Sequence, residues 1–342
     1  MELLSARQKR ILSLIVHEYI YSADAVASRH LVEKYKLNLS SATVRNEMMA
    51  LTDQGYLKQP HTSAGRVPTE AGYRYFVGQL MQDTSLPGDT RATINHQFSQ
   101  MHRDTKQWLQ LAATVLANET HAASLITAPQ PLEARIKHIQ LIATHGRQVL
   151  AVLVMEGGQI HQHILTLEEP TSQEQLSNLS GKFSQIFAGK NLQTVSQFQG
   201  VFNPLESTVL AWLEDELVRT DRLPTGEIYM DGITNVLAEP EFSDAEEARK
   251  AMRLLEERSM LQELLAQTAL PDTIGGVQVL IGGEGNWDDL RQCSVVLSRY
   301  GSPGIATGAL GVLGPMRMSY GRSISMVRFL SGILSDFISE QW

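Results

Sequence analysis

The chain has 342 residues, 43% of them hydrophobic, a mean hydropathy of −0.14 and a formal charge of −8. That length argues for two or three domains, and the apolar content suffices for a packed core, which excludes a disordered chain. No stretch approaches the ~18 apolar residues that span a bilayer. MELLSARQKR reads as charged helix rather than a leader, and the lone Cys293 excludes an intramolecular disulfide, so a reducing, cytoplasmic setting is expected.

The acidic total conceals an asymmetry. Residues 1–80 hold ten Lys/Arg against seven Asp/Glu, whereas the remainder holds nineteen against thirty. Attraction to phosphate acts over about a Debye length, ~8–10 Å, so the local balance matters more than the sum.

In chain order, a first helix is expected from about Ser5 to Ile20, with Ser5 and Gln8 at capping-box spacing and Ile11, Ile15 and Tyr19 on one face. A short second helix follows to about Tyr35, and a third from Ser40 to Gly55. Pro60, Gly65 and Pro68 then punctuate two short extended arms, a wing, before a helix from about Thr69 to Met81. Thr84–Asp89 reads as a linker, and a polar helical stretch runs to about Glu119. From Ala134, three short strands are separated by His145-Gly146 and Gly157-Gly158. Helices return beyond Glu169, with apolar stripes Leu205, Val209, Trp212, Leu213, Leu217 and Ala251, Leu254, Leu255, Leu261, Leu265, either core or a dimer seam. Glycine-rich strands (GGVQVLIGGEG, CSVVLSRYGSPG, GALGVLGP) and a helix from about Ile324 to Ile338 close the chain. Strands, helices, strands suggest one α+β domain interrupted by a helical insertion.

The third helix carries the chemistry. At 100° per residue, Val44, Met48 and Leu51 share an inward face, and Ala42, Arg45, Asn46 and Met49 the opposite one, with Thr43 on the flank. Arg pairs bidentately with guanine and Asn with adenine, and small residues at the helix start let the backbone approach a major groove. Phosphate contacts are expected from Arg29, Ser40, Ser41 and Lys58, and wing contacts from His61, Thr62, Ser63 and Arg66. A helix-turn-helix with a wing that binds duplex DNA, most simply a repressor acting as a dimer on two half-sites, follows.

Other features read more plainly. The glycine-rich segments lack a Gly-Lys-Ser/Thr ending and serve strand turns. His161 and His163 share one strand face without a third ligand beside them in sequence, Cys293 precedes an apolar run, and no catalytic set, metal site or cofactor motif assembles. The expectation is a protein that is not an enzyme and needs no cofactor.

ATVRNEM, GYLKQPHTSAGRVPTEAGYR, IYMDGITNVLAEPEF and GVLGPMRMSY resemble the signature blocks of the HrcA family, bacterial heat-inducible transcription repressors. Ala25, Ala27, His30, Ser41, Thr52 and Ser319 depart from the family's usual residues. The resemblance implies an α+β multidomain chain: a winged-helix DNA-binding domain at 1–82, a connecting segment at 83–119, a GAF-like domain in two parts at 120–172 and 272–342, and an inserted, mainly helical dimerisation region at 173–271. It also implies a homodimer on an inverted-repeat operator of chaperone genes, loss of DNA binding on heat stress, and a GroEL-type chaperonin as modulating partner. The alternative is a small-ligand-sensing regulator that uses the GAF-like domain.

Overall fold

A computed structural model describes residues 4–61, 64–81, 85–101, 104–130, 134–156, 158, 160–198, 200–222, 227–257, 261, 275–283, 290–302 and 305–341. They form an α+β structure in two compact units. One comprises residues up to 128, 227–301 and 308–341; the other comprises 129–226 with 302–307.

The first unit opens with three helices: α1 (Ala6–Ser22), α2 (Ser28–Tyr35) and α3 (Ser41–Asp53). Ser5 starts α1 through a complete capping box, accepting from Gln8 N while Gln8 Oε1 accepts from Ser5 N at 2.9 Å. Ile11, Leu12, Ile15 and Val16 of α1 are buried with Leu31 of α2 and Val44, Met48 and Leu51 of α3. Each such burial stabilises the three-helix core by about 1.5–3 kcal/mol. Two short strands, β1 (Leu57–Lys58) and β2 (Val67–Pro68), pair antiparallel, Leu57 opposite Pro68 and Lys58 opposite Val67. Thr69 caps α4 (Glu70–Tyr75), which runs on as a wider turn through Phe76–Leu80.

The polar stretch expected as helix is two helices, α5 (Gly88–Ser99) and α6 (Thr105–Thr120), the second started by the side chain of Asp104 accepting from Gln107 N. Beyond them a five-stranded sheet has the order β7-β3-β10-β9-β8, from β3 (Ala123–Thr127), β7 (Ile228–Asp231), β8 (Val277–Ile281), β9 (Cys293–Ser302) and β10 (Ala306–Pro315). Between β7 and β8 lie α10 (Ile233–Leu237), a 3-10 turn (Pro240–Phe242) and α11 (Ala245–Glu256), whose Leu255 joins Leu125, Val236, Phe242, Cys293, Val295, Leu297 and Leu313 in one core. A closing helix, α12 (Tyr320–Gln341 of the chain), packs with α6.

The second unit holds β4 (Ile136–Ala143), β5 (Gln148–Met155) and β6 (Ile160–Thr166) as their own antiparallel sheet, followed by α7 (Gln173–Phe187), α8 (Leu192–Ser196) and α9 (Pro204–Arg222). Ile139, Leu141, Ala151 and Leu153 face Leu176, Phe183, Val209, Leu213 and Leu217 in a separate core. The α9 stripe, open between core and seam in the sequence, therefore lies inside this unit. Among the described residues, β4–β6 pair with one another, and this unit spans residues 172 and 173.

Candidate nucleic-acid interface

Helix α3 is held by its cap and by its inner face. The Ser40 hydroxyl accepts from Thr43 N at 3.0 Å and lies 2.9 Å from Thr43 Oγ1, so it satisfies a helix-start donor that no intrahelical carbonyl reaches. Val44, Met48 and Leu51 are buried; Ser41, Ala42, Arg45, Asn46 and Met49 are exposed, and Thr43 is half-buried. Met49 keeps 48% of its surface in contact with solvent, an unusual exposure for a large apolar side chain. Glu47, the acid beside Arg45 and Asn46, is drawn to Arg7 of α1 at 3.2 Å, which offsets a charge that would repel phosphate.

The strand arms sit against the helices through Gly65. Val26 N donates to Arg66 O and Arg66 N to Val26 O, both at 2.9 Å, and a Cβ on Gly65 would lie 2.3 Å from the Val26 carbonyl oxygen. Lys58 and His61 are exposed, and Ala64 N donates to His61 O in the turn; Thr62 and Ser63 lie outside the described residues. Arg66, read from sequence as a wing cation, is half-buried. Its Nε donates to Thr52 Oγ1 at 3.0 Å, and Thr52 donates to Met48 O at 2.8 Å, so this part of the guanidinium ties the segment before β2 to α3. Arg29, near the start of α2, is exposed and pairs with Glu33 at 2.8 Å. The structure thus gathers Ser41, Ala42, Arg45, Asn46 and Met49 on one helix face, while Arg66 has a structural bond of its own.

One cluster escaped the sequence reading. Glu18 of α1 keeps only 7% of its side chain exposed and is met by three groups of α2: His30 Nε2 at 2.9 Å, Lys34 Nζ at 2.7 Å, and Tyr35 OH, which donates at 2.5 Å. Burial alone would raise its pKa, but the bonds from Lys34, Tyr35 and His30 outweigh that and lower it to about 2. The available signal was an acid one position off the apolar stripe of α1 with three complementary groups along α2. His30, one of the departures from the family pattern, belongs to this lock. Elsewhere, His161 is likewise not the plain strand-face residue expected: its Nδ1 lies 2.8 Å from Glu216 Oε1 of α9, a partner 55 residues away.

Chemically, the α3 face offers a guanidinium fork, a carboxamide, an apolar tip and a backbone approached through Ser41 and Ala42. These are the groups that read base edges in a major groove, and none of them resembles a nucleophile or general base.

Residues 106–324 match the family model described as the HrcA protein C-terminal domain. The chain is also similar, at 43% identity over 98% of its length and 95% of the relative's, to the heat-inducible transcription repressor HrcA of Roseiflexus castenholzii. The chain belongs to the HrcA family. Similar HrcA repressors from Roseiflexus sp. (strain RS-1) and Herpetosiphon aurantiacus are 42% and 40% identical over 98% of this chain and cover 95% and 96% of their own length. Because these HrcA relatives match nearly end to end, membership extends to α1–α4, which precede the span of the family model. For the HrcA-family fold, a crystal structure described as that of a hypothetical protein superposes with a TM-score of 0.59 at 23% identity, covering 98% of both chains. HrcA is a family of transcription repressors, regulators rather than enzymes. Among the described residues of this HrcA-family chain, no helix is long and apolar enough to cross a membrane.

Proposed function

We propose that this chain represses heat-shock genes by reading an inverted-repeat operator of chaperone operons as a homodimer, with α1–α3, β1 and β2 acting as a winged helix-turn-helix. The observation that carries this reading is the sorting of α3: Val44, Met48 and Leu51 buried, and Ala42, Arg45, Asn46 and Met49 exposed on the opposite side. Arg45 and Asn46 are assigned to base edges, with Met49, Ala42 and Thr43 beside them. Ser40, Ser41, Arg29 and Lys58 are assigned to phosphates, and His61, Thr62, Ser63 and Arg66 to the wing. In the same reading the five-stranded domain is GAF-like, the insertion supports pairing, and heat releases the DNA under control of a GroEL-type chaperonin.

A second copy is needed because one recognition helix spans few base pairs, and two linked helices gain both affinity and a fixed half-site separation. Arg45→Ala tests the assignment. Its affinity for the inverted repeat that the wild-type protein selects from a random DNA pool should fall by about 1–3 kcal/mol at fixed salt, with relaxed preference at one position per half-site. Unchanged affinity and preference would reject Arg45 as a base reader.

A further inference from the structure

The last carbonyls of an α-helix have no intrahelical donors and gather its negative dipole end. At the end of α1 a donor comes from far along the chain: Arg317 Nη1 donates to Ile20 O at 3.1 Å. The same guanidinium donates from Nε to Glu241 Oε1 at 2.6 Å and from Nη2 to Glu239 Oε2. All three nitrogens are thus committed, on a side chain only 12% exposed, to two acids at the 3-10 turn and one carbonyl of the DNA-reading head. A lysine presents a point charge and cannot match this fork.

The surroundings join the same two parts. Arg74 Nη2 of α4 donates to Ile281 O of β8 at 3.2 Å, and the rings of Tyr73 and Tyr320 lie 6.0 Å apart. Arg317 and Tyr320 sit in the stretch GVLGPMRMSY, and Glu239 and Glu241 in LAEPEF, so two of the signature blocks meet here.

We propose that Arg317 is a positioning residue, its fork fixing the orientation of the DNA-reading head on the five-stranded domain and thereby setting which half-site separation a dimer accepts. This rests on the operator reading above. The reasoning is one of geometry. Each head reads its half-site with α3, but simultaneous engagement of two heads requires each to be held at a set angle to its own domain. A head released from the fork reads a half-site as well as before, while the effective concentration of the second head at the cognate spacing falls and a wrong spacing becomes reachable.

The experiment uses the full chain, the inverted repeat selected by the wild-type protein, the same DNA with about half a helical turn added between half-sites, and a duplex carrying one half-site. The variants are Arg317→Ala, Arg317→Lys and, to avoid leaving two half-buried acids unpaired, the combination Arg317→Met with Glu239→Gln and Glu241→Gln. Discrimination between the two spacings should drop about tenfold or more in the variants, with half-site affinity held within about twofold. Wild-type discrimination in the folded combination variant overturns the proposal, as does an equal fall in half-site and full-site binding, which marks general damage to the head. Amide exchange provides a reading that needs no DNA. The last turn of α1 and the amides of α4 should exchange about tenfold faster in the variants, and unchanged exchange also overturns the role. If the wild-type protein selects no inverted repeat, the operator reading fails on its own, and the exchange result still decides the positioning of the head.

Discussion

Glu18 sets the first stability test at the level of a single side chain. Its carboxyl is lowered from 4.5 to about 2 in the fold because Lys34, Tyr35 and His30 outweigh the cost of its burial. The stabilisation is therefore fully present above about pH 4.5 and is lost as pH falls through about 2, where the folded carboxylate takes up its proton. Glu18→Gln keeps the shape but removes the charge, and should cost about 1–3 kcal/mol at pH 7. In urea unfolding the gap between variant and wild type should narrow steadily between pH 4.5 and 2; a gap independent of pH would reject the α1–α2 lock. No periodicity could expose this residue. Glu18 adjoins Tyr19 of the apolar stripe, and its three partners are 12–17 residues away on another helix. Arg66 makes a bond that the sequence hides for the same kind of reason. Its Nε donates to Thr52, 14 residues back, a contact created only when the segment after β1 folds against α3.

For helices and strands, what could be read from sequence follows from how local the forces are. Helix α3 was legible because its start is chemical, Ser40 bonding Thr43 N, and its face is periodic, with Val44, Met48 and Leu51 at helical spacing. Strand β3, Ala123–Thr127, is buried at every position and shows no alternation, and β7 spans only Ile228–Asp231, so neither carries a pattern that distinguishes it from its surroundings. The β1–β2 pair is legible through its punctuation, and Gly65 gives it a sharp test. An added methyl would sit 2.3 Å from Val26 O and 2.8 Å from Ala25 O, backbone atoms that cannot move aside without breaking the Val26–Arg66 bonds. Gly65→Ala should destabilise the first unit by about 1–3 kcal/mol and displace the β1–β2 pair. Denaturant midpoints and operator affinity should both fall; an unaltered midpoint would mean that the arms are not packed against the α1–α2 connection as described.

For the whole molecule, two cores divide one chain, and the second is built within the sequence of the first. The chain leaves the first unit after residue 128 and re-enters it at 227, and between those points β4–β6 and α7–α9 bury a set of apolar residues of their own. A unit with its own core can melt on its own when few of its contacts depend on the rest. Phe183 is fully buried there, edge-on to Phe187 at 5.4 Å and to Phe202 at 6.2 Å. Phe183→Ala should cost about 3–5 kcal/mol of that unit's stability through lost burial and the cavity left behind. In scanning calorimetry this should appear as one transition moved to lower temperature, while the transition of the unit bearing α3 stays in place and half-site DNA affinity at 25 °C is unchanged. If operator release on heating tracks the displaced transition, the insertion is the heat-labile part, and repression is lost through pairing rather than through melting of the reading head. A single transition that shifts as a whole would instead show that the two cores melt together, and that heat cannot release the operator through the insertion alone.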